Sequence, residues 1–464
     1  MGQDDTICAI ATPAGVGSIG IIRASGRDAF SIIQPLFRRY GEGKEAHPTS
    51  FKSHVVYPGI IIDPATGKPV DEVLVLPMQG PRSYTGEDVV EIQAHGNPHL
   101  LQRILSLLIA NGARMATPGE FTRRAFLSGR IDLSQAEAVM DLIMAQSRYA
   151  EELAMHQLRG GVSAHLLTIQ EAILSVLSRL EASIDFQEQG INIDPQDKII
   201  QGISQCNLLV DNLLAGYEAG KQIRDGSAIV ITGRPNVGKS SVMNRLLGED
   251  RAIVMPIPGT TRDTLSEWFS IQGHRIQIID TAGVHTTTDP IEVEGIRRGE
   301  AALQQGDLAL FIVDSTQSFT EEDAALWDRI PCKKKVMALN KKDLHGKIDI
   351  DAVRSQYPND PIIYCSAKTG EGFSDISTLL FSLLVPKEEG SGQSPLIAQL
   401  RQKNALNIAS ATLKRAEQSA REHTSVEFIA ADLREALDSL GEIWGETTTD
   451  EILNQIFGQF CIGK

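Results

Sequence analysis

The stretch Gly233-Arg234-Pro235-Asn236-Val237-Gly238-Lys239-Ser240 follows an apolar run, Ala228 to Thr232, and precedes residues at helical spacing. This is the setting a phosphate-binding loop requires. Glycines let backbone N–H groups converge on phosphate oxygens, Lys239 brings positive charge to the β- and γ-phosphates, and the Ser240 hydroxyl is placed for Mg²⁺. Asp280-Thr281-Ala282-Gly283 ends a later apolar run, offering a carboxylate to the metal's surroundings and a glycine that responds to the γ-phosphate. Between them lie Thr260 and Thr261, one of whose hydroxyls completes Mg²⁺ coordination only when the γ-phosphate is present, the property of a switch. Asn340-Lys341-Lys342-Asp343 selects guanine, because the Asp343 carboxylate accepts from both the ring N–H and the exocyclic amine, a donor pair adenine lacks. Ser366-Ala367-Lys368 has the form of the loop that supports the base. In this order the motifs predict a switch that binds and hydrolyses GTP.

The residue after Gly283 is Val284, where many such enzymes place a glutamine that orients the attacking water. Glu292 and Glu294 are the nearest ionisable alternatives; spacing alone reads them first as a solvated helix face. Arg262 is the arginine to consider as a cis finger, and the sequence does not place it in space.

The elements that must position these loops are short apolar strands, Ala228 to Thr232, Arg275 to Asp280, Leu308 to Asp314, Val336 to Asn340 and Ile362 to Cys365, separated by helical patterns. That alternation is how a parallel α/β sheet reads. The first 120 or so residues instead carry strands at Ile19 to Ile22, Glu72 to Leu76 and Val89 to Ile92 and a helix from His99 to Ala110, an α+β pattern. Leu133 to about Asp185 reads as two long helices broken at Gly160-Gly161, Ile203 to Ile223 as another, and helical spacing resumes from Leu396 to about Leu440 after the polar linker Glu388 to Gly392. The expected architecture is multidomain: an α+β domain over residues 1–125, a discontinuous α-helical domain over 126–222 and 386–464, and an inserted α/β P-loop domain over 223–385.

Composition narrows the class without naming it. The chain has 464 residues, 42% hydrophobic and 22% charged, the balance of an ordinary globular protein of about three domains. A net charge of −15 argues against nucleic-acid binding over the whole surface and leaves room for a local basic groove. The five cysteines are scattered with no CxxC pair, which indicates neither a disulfide framework nor a zinc site. No uninterrupted apolar run approaches the roughly 20 residues of a membrane span, and Met1-Gly2 with Thr6 matches the myristoylation pattern only by chance, since Asp4 and Asp5 follow and no basic patch does. A cytoplasmic protein without stable membrane association is expected.

Gly259-Thr260-Thr261-Arg262-Asp263 resembles the TrmE-Era-EngA-like GTPase superfamily, the branch shared by ribosome-assembly GTPases and the tRNA-modification GTPases. The flanks decide between them. Asp5-Thr6-Ile7, Ala11-Thr12-Pro13, Tyr84-Thr85-Gly86-Glu87-Asp88, His95-Gly96, Pro118-Gly119-Glu120-Phe121-Thr122 and Phe460-Cys461-Ile462-Gly463-Lys464 resemble the MnmE (TrmE) family over essentially the whole chain. The alternative, a ribosome-assembly GTPase, usually carries a KH-like domain or tandem GTPase domains, and the C-terminal helices hold no GxxG loop.

The resemblance implies a K⁺-activated GTPase that works with the flavoprotein MnmG to install a carboxymethylaminomethyl or aminomethyl group at C5 of wobble uridine in certain tRNAs. It implies a homodimer paired through an N-terminal domain that holds 5-formyltetrahydrofolate or a related tetrahydrofolate, with contacts carried over to Arg23, Glu91, Arg130 and Lys464; the family often has Lys where this chain has Arg130. The nucleotide would be lined by Asn236, Val237, Gly238, Lys239, Ser240 and Ser241, by Met255, Pro256, Ile257, Pro258, Gly259, Thr260 and Thr261, by Asp280, Thr281, Ala282 and Gly283, and by Asn340, Lys341, Asp343, Ser366, Ala367 and Lys368. Mg²⁺ falls to Ser240 and Thr261, and K⁺ to the Asn236 side chain with Met255, Ile257 and Thr260. Lys239, Asn236 and Glu292 take the catalytic roles, Glu292 orienting the water through a second water, so that Val284 ceases to be an anomaly. Cys461 has two readings, a nucleophile for the modification chemistry or a buried structural thiol.

Overall fold

The computed structural model describes residues 5–40, 51–186, 196–249, 266–280, 303–304, 306–332, 334–385 and 396–464. They fall into two compact units: Met1–Met140 with Leu158–Glu171 and Glu427–Lys464, and Asp141–Gln157 with Ala172–Val426.

The first unit is built on a seven-stranded sheet of β1 (Ile7–Ile10), β2 (Ile19–Ser25), β3 (Phe37–Arg39), β4 (Tyr57–Ile62), β5 (Pro69–Met78), β6 (Val89–His95) and β7 (Arg114–Met115), in the order β3-β4-β5-β6-β2-β1-β7. Its pairings are antiparallel except β1 with β7. Ile22, Ala24, Val75, Val90, Ile92 and Ala94 join α1 (Ala29–Ile33) and α2 (Pro98–Ala110) in one core, with Ile33, Leu101, Ile104 and Leu108 from the helices. α2 starts where it does because the Asn97 side chain accepts from the His99 and Leu100 N–H groups and Pro98 needs no partner. Ile7, Ala9, Ala116 and Phe121 form a second apolar cluster, bordered by Tyr84.

α3 (Glu120–Leu127) is anchored by charge. Arg124 donates to Asp5 and Glu87 and Arg114 to Asp5 and Glu120, so the two arginines knit the start of β1, the residues before β6 and the first turn of α3 together. Burial alone would raise the Glu120 pKa, but Arg114 and the Thr117 donors outweigh it and hold the carboxyl at about 2.

In the second unit, β8 (Ser227–Thr232), β9 (Ser266–Ile271), β10 (His274–Asp280), β11 (Leu308–Asp314), β12 (Lys334–Asn340) and β13 (Ile362–Tyr364) form a sheet in the order β13-β12-β11-β8-β10-β9, parallel except for the β9–β10 hairpin. β11 is buried at every position, as a central parallel strand covered on both faces must be. One core lies against α9 (Lys239–Glu249) and the later helix Phe373–Leu384; the other holds Phe311, Val313, Met337 and Trp327.

The helical segments break in more places than their periodicity announces. Leu133 to Phe186 is three helices, α4 (Leu133–Met144), α5 (Arg148–Leu158) and α6 (Gly161–Phe186), because Ser147 turns its hydroxyl onto the Ala150 N–H and starts a new helix. α7 (Gln196–Ala215) and α8 (Tyr217–Asp225) part at Gly216. After α10 (Glu321–Asp328), α11 (Ile350–Gln356) and α12 (Phe373–Leu384), the C-terminal helical stretch is α13 (Leu400–Arg421), α14 (Val426–Trp444) and α15 (Asp450–Phe457), with His423 at a left-handed φ of 58° in the first break. α7 and α13, from opposite sides of the α/β sheet in sequence, pack together: Asn207 donates to Glu417 at 3.2 Å and Ser410 to Asp211 at 2.8 Å.

Among the described residues one helical span, Gly161–Ala182, is long and apolar enough to cross a membrane by length and composition, where the sequence reading expects none. Its buried positions, Val162, Leu166, Ile169, Ile173, Val176, Leu177 and Leu180, fall on one face, mostly three and four apart, the stripe of a core helix.

α5 meets the β9–β10 hairpin through Tyr149, whose ring stands edge-on to the fully buried His274. The His274 Nε2 pairs with the Ser227 hydroxyl at 2.9 Å, its Nδ1 has no hydrogen-bond partner among the described residues, and burial lowers its pKa to about 4 despite Asp307. The unfolded chain takes up this proton near pH 6.5 and the native chain only near 4, so unfolding free energy is expected to fall as pH drops through that window and to be unaffected above it. Imidazole NMR of the full chain is expected to show His274 neutral at pH 6, titrating near 4; titration at the ordinary value would contradict its burial.

Candidate functional site

The phosphate loop leaves the buried end of β8 and runs into α9. Gly233 has φ +140° and lies against the Ile312 backbone, and Gly238 has φ +100° with the Asn340 amide where a Cβ would sit, so both positions exclude side chains. Asn236 between them is left-handed at φ +61°. Lys239 Nζ donates to the Gly233 and Arg234 carbonyls at 2.9 Å each, which crowns the loop with positive charge. Ser240 is exposed in the first turn of α9, where the helix's N–H groups favour an anion.

The base-reading loop stands beside it. Asn340 Nδ2 donates to the Val237 carbonyl at 2.9 Å and its Oδ1 accepts from the Ala367 N–H at 3.0 Å, so one amide joins three of the predicted segments. Lys341, at φ +67°, donates to the Asn236 carbonyl at 3.1 Å and to Asp314 at 2.6 Å. Burial raises the Asp314 pKa, but the Lys341 ammonium and the Thr316 donors outweigh it and leave the carboxyl below its ordinary value. The Ser366 hydroxyl donates to Asp343 Oδ1 at 2.6 Å, fixing the carboxylate that would read guanine.

Arg234 leaves the phosphate loop sideways. Its Nε donates at 2.7 Å to the fully buried Asp323, which also accepts from the Thr320 N–H and hydroxyl in the capping box of α10. Met255, Pro256, Ile257, Pro258, Gly259, Thr260, Thr261, Arg262, Thr281, Ala282, Gly283, Val284, Glu292 and Glu294 lie outside the described residues, as does the side chain of Asp280. The donors that are described, the Asn236 side chain and the Ser240 hydroxyl, are exposed oxygen ligands of the type hard cations take.

The first unit gathers its own predicted residues. The β2–β6 register sets Arg23 opposite Glu91, and Arg23 Nε and Nη2 both donate to Glu91 Oε1, at 2.9 and 2.7 Å. Arg23 also reaches the Gly463 carbonyl at 3.4 Å, drawing the C-terminal residues in. Its guanidinium lies 5.3 Å from the Tyr84 ring centroid and that of Arg130 lies 5.2 Å from it, while Arg130 Nη1 donates to the Tyr84 carbonyl at 2.5 Å. Burial, reinforced by Arg23 and opposed by Glu91, lowers the Lys464 pKa. Two guanidinium groups against an aromatic ring, with Glu91 on Arg23 and the Lys464 ammonium close enough to feel both charges, suit an anionic, ring-bearing ligand. Cys461 is exposed, against the reading of a buried structural thiol.

Sequence reasoning quoted Tyr84 and Arg234 inside motifs without giving either a role, and named Asp314 only as a strand end. The motifs carry a signal for the first two; Asp314 reads as the end of a buried strand, and its partner is 27 residues away.

Two families match the chain, the MnmE helical domain over residues 133–461 and the GTP-binding protein TrmE N-terminus over residues 6–130. The tRNA modification GTPase MnmE of Syntrophus aciditrophicus is 43% identical over 461 residues, 99% of each chain, and that of Carboxydothermus hydrogenoformans is 42% identical over 465 residues, the whole of each. Among solved structures, Aquifex aeolicus Era bound to GDP and aluminium fluoride is 26% identical and covers 40% of this chain and 66% of its own, with a TM-score of 0.30. The chain therefore belongs to the MnmE (TrmE) family of tRNA modification GTPases.

Proposed function

We propose that this chain hydrolyses GTP in a potassium-assisted cycle and, as a homodimer working with the flavoprotein MnmG in the cytoplasm, couples that cycle to installing a carboxymethylaminomethyl or aminomethyl group at C5 of wobble uridine. GTP hydrolysis in tRNA modification follows from family membership. The observation that carries the nucleotide site is the bonding of the Asn340–Asp343 loop to the phosphate loop, which supports a single pocket for guanine and phosphates. Likeness over the whole chain to tRNA modification GTPases displaces the ribosome-assembly alternative.

In this reading Lys239 neutralises the β- and γ-phosphates, Ser240 and Thr261 hold Mg²⁺, and Asp343 reads guanine. Glu292 orients the attacking water, a task Val284 cannot perform. K⁺, held by the Asn236 side chain with Met255, Ile257 and Thr260, would supply the charge an arginine finger supplies elsewhere. Arg23, Glu91, Arg130 and Lys464 hold a tetrahydrofolate, the one-carbon donor; the contacts of Arg23 with Glu91 and Gly463, and of Arg23 and Arg130 with Tyr84, support that ligand. Residues 223–385 form the GTPase domain; 126–222 and 386–464 form one helical domain, a division the packing of α7 on α13 supports. Residues 1–125 carry the folate and the dimer contact.

Two measurements test this. Wobble-uridine analysis of tRNA from a strain lacking the chain is expected to show the C5 group missing; an unchanged modification level would sink the proposal. Replacing K⁺ by Na⁺ is expected to lower the GTPase rate sharply, and Asn236→Ala to abolish the difference between the salts; equal wild-type rates in both would remove potassium from the mechanism.

A further inference from the structure

Asp314 closes the wholly buried strand β11, and its side chain is 3% exposed. Oδ1 accepts from the Thr316 N–H at 3.0 Å and from the Thr316 hydroxyl at 2.7 Å, which leaves Oδ2 aimed at Lys341 Nζ, 2.6 Å away. The same ammonium donates to the Asn236 carbonyl at 3.1 Å, and the next carbonyl, that of Val237, accepts from Asn340 at 2.9 Å.

A trans peptide is planar, and its C=O and N–H point in opposite directions. Holding the Asn236 carbonyl toward Lys341 therefore turns the Val237 N–H the other way, and holding the Val237 carbonyl does the same for the Gly238 N–H. These are the N–H groups on which a phosphate loop relies. Asn236 sits at a left-handed φ of +61°, a region that asparagine enters more readily than most residues but less freely than glycine, so the held carbonyl adds to a local preference.

We propose that Asp314 is a positioning residue for the GTPase reaction: acting through Lys341, it sets the Asn236 carbonyl and so aims the Val237 N–H at the nucleotide phosphates. The proposal rests on the reading of these loops as the GTP site. A carboxylate this deep wants a cation whatever its function, so the distinguishing consequence is transmission to the ligand. A purely structural Asp314 changes stability and leaves the folded protein's affinity alone.

The test is equilibrium titration of the full chain with a fluorescent GDP analogue and Mg²⁺, with binding stoichiometry counting the folded fraction. Asp314→Asn keeps the shape and removes the negative charge that faces the Lys341 ammonium; it is expected to weaken GDP by about tenfold, the loss of one charge-assisted hydrogen bond. Lys341→Met is expected to weaken it more, and the double variant to be no weaker than Lys341→Met alone, because among the described residues the Asp314 side chain reaches the loop through Lys341. Thr316→Val, which keeps the carboxylate but frees one restraint, is expected to give a smaller loss that disappears in the Lys341→Met background. Wild-type affinity in Asp314→Asn, or losses that multiply in the double variant, would overturn the proposal. Wild-type affinity in Lys341→Met as well would overturn the site reading with it.

Discussion

Two consecutive carbonyls, those of Asn236 and Val237, are held by side chains of the base-reading loop, and the rest of the nucleotide site depends on that tether. Each bond is modest, on the order of 1 kcal/mol for the neutral amide and roughly 1.5 to 3 for the ammonium. They act on a loop that is left-handed at Asn236 and whose glycines add little stiffness of their own. The parallel sheet makes the tether available: β8, β11 and β12 are adjacent, so the loops leaving their ends meet. Buried apolar strands supply the rigidity, and the polar groups at their ends supply the direction.

The first unit divides its charges between two tasks. Arg114 and Arg124, with Asp5, Glu87 and Glu120, fasten the start of β1 to α3. Arg23 and Arg130 lie against Tyr84, Arg23 pairs with Glu91, and Lys464 is close enough to Arg23 and Glu91 to feel both charges. The two groups share one motif: Tyr84 and Glu87 are three residues apart and serve different neighbours. A motif in this region is therefore partly a fastening and partly a binding surface, and residue type alone does not sort the two.

The phosphate loop was legible in the sequence because its chemistry is local: glycines at fixed spacing, a lysine and a serine at the start of a helix. The order of strands was legible because each is a short apolar run. Asp314 was not, since nothing local marks an aspartate at a strand end as the partner of a lysine on the neighbouring strand's loop. Helix breaks at Ser147 and Gly216 escaped because apolar spacing continues across them, and a single hydroxyl or glycine decides whether the axis does. The gathering of Arg23, Arg130 and Gly463 around Tyr84 is likewise a product of register and chain return, which spacing does not contain.

Guanine recognition by Asp343 is the claim on which the account turns, because it decides which nucleotide drives the switch. Asp343→Asn replaces an acceptor with an amide that also donates, which suits the C2 carbonyl of xanthine and not the C2 amine of guanine. Hydrolysis of GTP and XTP by the Asp343→Asn chain in K⁺ and Mg²⁺ is the most direct measurement. The account predicts loss of GTP turnover and gain of XTP turnover; undiminished GTP turnover would contradict it.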